Sequence, residues 1–264
     1  MAPLGSRQSA PYSPDRTLMR ERALLWDGCV NVRDLGGHPT EDGGMTRFGV
    51  VVRSDNIRLL SEQGWQQLVD YGVTRIVDLR FSGELAEDAP REVDIDAVHV
   101  PLLEDQTRVD EIDDLVRHIK EPAAWRCAVY LEFLDRFAAN FAQAVTHVAE
   151  VSDGTVLVHC AGGVDRTGLV AALLLRIAGV GVAPIANDYA ASEANWAPFT
   201  DEWLDEAVTD QEREKRRLLS IMPADAMREV LEELERRHGG AWSYLEASGV
   251  HAEDLQRIRA RLRP

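Results

Sequence analysis

The stretch Thr155-Val156-Leu157-Val158-His159-Cys160-Ala161-Gly162-Gly163-Val164-Asp165-Arg166-Thr167-Gly168-Leu169 decides how this chain is read. Four residues, Thr155 to Val158, make a short apolar run after the Asp153-Gly154 turn signal, which reads as a buried strand. A helical pattern resumes at about Arg166 and runs to Ala178. Between them, five residues separate Cys160 from Arg166. A loop of that length curls so that successive backbone N–H groups point inward, forming an anion-binding nest. The helix that follows adds its own free N–H groups and the positive end of its dipole at the same place. Such a nest stabilises the anion of a thiol at its mouth, and a guanidinium grips two oxygens of a tetrahedral phosphate. Cys160, the amides of Ala161, Gly162, Gly163, Val164, Asp165 and Arg166, and the Arg166 side chain thus supply the parts of nucleophilic phosphoryl transfer.

Outward from this loop the chain alternates strand-like and helix-like segments. Phe48–Arg53 and Val73–Leu79 read as strands, and Ala97–Pro101 as a shorter one. Ser61 is placed to cap a helix that Gly72 ends. Apolar residues recurring from Leu131 to Val148 at three- and four-residue steps predict one long amphipathic helix over 123–150. The remainder, 183–262, reads as helices parted by turns at Pro198, Pro223 and Gly239-Gly240. This order predicts an α/β fold with a central, largely parallel sheet flanked by helices and a helical C-terminal tail. Residues 1–18 read as a mobile Pro/Ser-rich tail, and 19–264 as a single domain.

Composition bounds the partners. Asp and Glu number 45 against 29 Lys and Arg, a formal charge of −16, which argues against nucleic acid and anionic membranes as partners. The positive potential that a phosphorylated substrate needs must then be local. Three scattered cysteines, Cys29, Cys127 and Cys160, suggest neither a disulfide framework nor a metal site, so no metal and no cofactor is expected. The first residues lack the apolar core of a secretory signal, and a cytoplasmic location is the expectation. The sequence leaves the oligomeric state open.

The string His-Cys-x-x-Gly-x-Asp-Arg-Thr-Gly resembles the phosphate loop of cysteine-dependent protein tyrosine phosphatases, and in particular their bacterial tyrosine/serine branch. Further matching pieces occur in the family's order: NVRDLGG (31–37), VVRSDNIRLL (51–60), IVDLRFSGE (76–84) and the tail Gly239-Gly240 with Tyr244-Leu245. The resemblance implies a phosphatase-type fold and hydrolysis of a phosphorylated protein or a small aryl phosphate. It implies Cys160 as nucleophile, Arg166 as the phosphate-binding arginine, and Thr167 as a hydroxyl that hydrogen-bonds the sulfur. His159 would order the loop. Many members of this branch carry lysine where Val164 stands here, a position associated with phosphoinositides, so phosphotyrosine is favoured over a lipid phosphate.

For the proton donor, Asp165 beside Arg166 ranks first and Asp78, at the end of a strand, second. Arg33 and Asp34 read either as an ion pair bracing a glycine-rich turn or as a border of the substrate cleft. Arg53 and Arg80 read as pocket cations or as solvated salt-bridge partners. Cys29 and Cys127 read as core residues, and so do Trp196, Trp203 and Trp242. The acidic stretch 104–121 reads as a mobile surface segment or a cover over the site. A recognition module without turnover and a sulfurtransferase are the rival functions, the latter disfavoured by the continuation Asp-Arg-Thr-Gly into a helix.

Overall fold

Val156, Leu157 and Val158 lie at the centre of a five-stranded sheet in the computed structural model, which describes residues 22–86 and 94–264. The tail expected over 1–18 lies outside the described residues. The strands are β1 (Arg33–Asp34), β2 (Val51–Ser54), β3 (Val73–Asp78), β4 (Asp96–His99) and β5 (Thr155–His159). Their order is β1-β2-β5-β3-β4, and every pairing is parallel except the antiparallel β1–β2 edge. All five residues of β5 are buried, as a strand covered on both faces by helices must be. Register sets up the site: Ser54 and Asp78 both lie opposite His159, so β2, β3 and β5 end together just before Cys160. Open α/β sheets bind ligands at this carboxyl edge.

The helices among the described residues are α1 (Glu62–Asp70), α2 (Ser82–Ala86), α3 (Gln106–Val116), α4 (Pro122–Arg136), α5 (Ala138–Ala149), α6 (Asp165–Ile177), α7 (Val182–Asp205), α8 (Asp210–Ser220), α9 (Ala224–His238), α10 (Ala241–Ala247) and α11 (Ala252–Leu262). Ser61 caps α1 as its sequence predicts, accepting from the Gly64 N–H, which contributes about 1 kcal/mol. No helix among the described residues is long and apolar enough to cross a membrane.

Three expectations change. The helix foreseen over 123–150 breaks at Phe137, whose φ of −114° and ψ of 25° part α4 from α5. Phe137 carries no local breaker signal. One straight helix there would be about 42 Å long; broken, α4 packs on α9 and α3 while α5 packs on α11 and the sheet. The segment 104–121 contains an ordered helix, α3, with Ile112 and Val116 buried in the main core. Finally, Pro198 lies inside α7, which continues to Asp205.

Candidate active site

The loop from Cys160 to Arg166 leaves the end of β5 and turns directly into α6. Gly163 shows why glycine stands there. Its φ is +65°, and a Cβ would sit 2.6 Å from both the Asp55 nitrogen and the Ser54 carbonyl oxygen, so the loop lies directly on the end of β2. Val164, where α6 begins, offers no side-chain cap, which leaves the first N–H groups of a 13-residue helix open to an anion. Cys160 is buried at 2% exposure, at the floor of the loop.

Arg166 stacks over the Phe81 ring at 4.6 Å and reaches Glu84 of α2 with both terminal nitrogens, at 2.6 and 2.9 Å. Burial works against its charge, but Glu84, Cys160 and Asp165 raise its pKa and keep the guanidinium protonated. Burial likewise pushes the Glu84 carboxyl up, and Arg166 overrides it, holding the pKa below the ordinary value. Glu84 therefore aims the arginine fork. The sequence alone assigns this glutamate no role; an acidic residue closing the short motif 76–84 is the available signal.

The two carboxylates ranked as proton donors sit differently. Asp165 is about one-third exposed and lines the cleft. Its Oδ1 accepts from Arg126 at 2.5 Å and from Tyr130 at 2.6 Å, while Oδ2 has no partner among the described residues. The buried Arg126 also donates to the Leu218, Leu219 and Ile221 carbonyls, tying Asp165 to the end of α8. Asp78 is clasped side-on by Arg80 at 2.8–3.2 Å and lies 3.4 Å from His159 Nε2. Burial would raise its pKa, but His159 and Arg80 hold it low. Burial pushes the His159 imidazole below its ordinary value, and its Nδ1 meets the Cys160 carbonyl at 3.2 Å. Asp78 thus braces His159 behind the loop and is absent from the cleft lining.

The remaining candidates are placed as follows. Thr167 is fully buried, and its hydroxyl has no hydrogen-bond partner among the described residues, so the expected bond to the cysteine sulfur is not made. Arg33 and Asp34 do not pair with each other, because adjacent strand residues point to opposite faces of the sheet. Arg33 turns to Asp188 and Asn31, whereas Asp34 accepts from the Gly36 and Gly49 amides and the Tyr71 hydroxyl. Arg53 is buried beneath the loop and donates to the Gly163 carbonyl at 2.7 Å; Arg80 serves Asp78. Neither is a solvated partner. Cys29 and Cys127 keep their thiols protonated: burial raises both, Cys127 to about 12. Among the described residues no group of histidine, cysteine and acidic side chains is assembled to hold a metal.

Above the loop opens a cleft of about 610 Å³, within the range that takes a small organic ligand. Trp196, Phe199 and Trp203 from α7 form one wall, Leu219 and Met222 the other, and Asn56 and Leu59 the rim. This corrects two expectations. Trp203 is a cleft residue and Trp196 both packs on the core and lines the cleft, because α7 runs on through Pro198 past the edge of the core; Trp242 packs against the core without lining the cleft. Residues 104–121 do not line the cleft, since α3 spends its apolar face on the core.

Comparison with known proteins gives the following. The model of the tyrosine phosphatase family matches residues 24–264. A tyrosine-protein phosphatase of Nostoc commune is 28% identical over 80% of this chain and 73% of its own length. A putative tyrosine-protein phosphatase of Cupriavidus necator is 31% identical over 74% of this chain and 72% of its own. The triple specificity protein phosphatase PtpB of Mycobacterium tuberculosis is 26% identical over 88% and 96%.

Proposed function

The chain belongs to the tyrosine phosphatase family and is a phosphatase; from that premise we propose that its single domain hydrolyses phosphotyrosine through a phosphocysteine on Cys160. The observation that carries the proposal is the convergence of Ala161, Gly162, Val164, Asp165 and Arg166 on one cleft walled by Trp196, Phe199 and Trp203, with Cys160 buried at the start of that same loop. Arg166 and the inward N–H groups bind three phosphoryl oxygens and stabilise charge as it spreads in the transition state. The Cys160 thiolate attacks phosphorus, and the S–P bond forms as the bond from phosphorus to the aryl oxygen breaks. Asp165 donates a proton to that oxygen, then takes one from water. The water oxygen attacks phosphorus, the S–P bond breaks, and inorganic phosphate leaves with the thiolate restored. Thr167, buried beside the loop with an unused hydroxyl, is free to donate to the departing sulfur.

Specificity follows from the wall. Aromatic rings at the mouth favour a tyrosine ring over a short serine or threonine side chain by packing. Val164, buried at 5%, adds no cation for the further phosphates of an inositol headgroup. The substrate is therefore a phosphorylated protein or an aryl phosphate. The test is phosphate release from a phosphotyrosyl peptide, with acid-quenched enzyme mapped by mass spectrometry. A phosphoryl group on the peptide containing Cys160, and no turnover by Cys160→Ser, are expected. Turnover surviving in Cys160→Ser would sink the mechanism, and a wild-type protein that binds but never turns over aryl phosphate would be a recognition module.

A further inference from the structure

The polarity of the phosphate cradle has a source outside the cradle. Three successive loop carbonyls are each engaged from behind. Ala161 O accepts from the Asn56 N–H at 2.8 Å. Gly162 O accepts from Asn31 Nδ2 at 3.0 Å and Trp196 Nε1 at 2.9 Å. Gly163 O accepts from Asn31 Nδ2 at 3.2 Å and Arg53 Nη2 at 2.7 Å. No peptide bond among the described residues is cis, and in a trans peptide plane the C=O of one residue and the N–H of the next point in opposite directions. Drawing these three carbonyls outward therefore turns the N–H groups of Gly162, Gly163 and Val164 inward.

Apart from the Asn56 N–H, the donors that do this lie on or are held by one face of α7, at residues 188, 192, 195 and 196, the three- and four-residue spacing of a helical stripe. Asp188, 1% exposed, binds Arg33 Nε at 3.3 Å through one oxygen and Arg53 Nη1 at 2.8 Å through the other. Ser192 accepts from Arg33 Nη2 at 3.0 Å. Arg33 Nη1 and Asn195 Nδ2 both donate to Asn31 Oδ1. With its oxygen so occupied, the Asn31 amide has only its NH2 to present to the loop. Burial would raise the Asp188 carboxyl, but Arg33, His38 and Arg53 hold it well below the carboxylate range.

We propose that this face of α7 is the positioning device for phosphate binding, with Asp188 as its anchor and Trp196 as its direct arm. Asp188 acts through two relays, Arg33–Asn31 and Arg53, that end on the Gly162 and Gly163 carbonyls. Trp196 joins two tasks, since its ring walls the substrate cleft while its N–H holds the cradle. The inference rests on the reading of the loop as a phosphoryl site.

The test is the binding of inorganic phosphate to the full chain, measured by calorimetry and as competitive inhibition of aryl phosphate turnover, with melting temperature recorded for every variant. Trp196→Phe keeps an aromatic ring, smaller than the indole, at the cleft wall and removes one hydrogen bond; phosphate should bind about 5-fold more weakly, the effect of one bond of ordinary strength. Asp188→Asn and Asn31→Ala should each weaken binding at least as much. In the double variant Asp188→Asn/Asn31→Ala the loss should fall well short of the product of the single losses, because part of the Asp188 effect passes through Asn31. Leu255→Ala, a core truncation in α11 far along the chain from the loop, controls for stability: it should melt early yet bind phosphate as the wild type does. Unchanged phosphate affinity in Trp196→Phe, or an affinity that merely tracks melting temperature through Leu255→Ala, overturns the proposal. Should Asp188→Asn fail to fold, Trp196→Phe and Asn31→Ala still decide. A wild-type chain that neither binds phosphate nor turns over aryl phosphate would instead refute the phosphoryl-site reading itself.

Discussion

Replacing Asp165 by asparagine separates its two roles by their dependence on the leaving group. Its Oδ1 is already committed to Arg126 and Tyr130, and its Oδ2 is the oxygen left to exchange protons in the cleft. Asparagine keeps the shape and an acceptor for Arg126 but has no acidic proton. General acid catalysis contributes about 10²–10⁴-fold, or roughly 3–5 kcal/mol of barrier, and only when the leaving oxygen needs a proton. A phosphotyrosyl peptide or phenyl phosphate should therefore lose about two to four decades in kcat/KM, which reports phosphoenzyme formation and not the later hydrolysis. p-Nitrophenyl phosphate, whose phenolate leaves unaided, should lose under about tenfold. Stability should also fall. Breaking a buried pair costs about 3–5 kcal/mol. Here the carboxylate is 36% exposed and an acceptor remains, so about 1 kcal/mol, or roughly 2–4 °C in melting temperature, is expected. The assay is kcat/KM across a series of aryl phosphates of graded leaving-group pKa, on Asp165→Asn and Asp78→Asn side by side. Asp78→Asn should lower activity evenly across the series, since it acts through His159. An even loss in Asp165→Asn, or a steeper leaving-group dependence in Asp78→Asn, would refute the assignment.

Thr167→Val exchanges a buried hydroxyl without a partner for a methyl of the same shape. Melting temperature should hold or rise, by up to about 1 kcal/mol in stability, while pre-steady-state kinetics should show slower breakdown of the phosphoenzyme. Trp203→Ala should raise KM for phosphotyrosyl peptides about 2- to 10-fold, from the lost ring contact, and leave inorganic phosphate inhibition unchanged. His159 supplies a pH test. Its folded pKa lies below the unfolded value because of burial, so below about pH 6.5 the unfolded chain binds more protons and stability falls as pH drops. Melting temperature followed from pH 7.5 to 5 should slope less in His159→Gln than in the wild type; equal slopes would show that His159 does not titrate on unfolding.

Much of this was legible in the chain itself. A strand, a cysteine, two glycines and an arginine at a helix start fall within fifteen consecutive residues, so local geometry alone brings nucleophile, amides and guanidinium together. The α/β class and the largely parallel sheet were foreshadowed by apolar runs parted by helical patterns, and the Ser61 cap by its chemistry. What was not legible depends on contacts between residues far apart in sequence. Glu84 meets Arg166 across 82 positions, Asn31 meets Gly163 across 132, and Arg33 meets Asp188 across 155. A charged residue such as Asp188 carries no local mark of whether it will face water or bind two buried guanidiniums. Likewise, Pro198 ends a helix by local rules, yet α7 runs through it. Neighbouring positions in the chain were enough to pick out the atoms that the proposed chemistry uses, because local geometry brings them together. What orients those atoms emerges from the folded chain alone, because buried charges and loop carbonyls must find partners wherever the packing of distant elements places them.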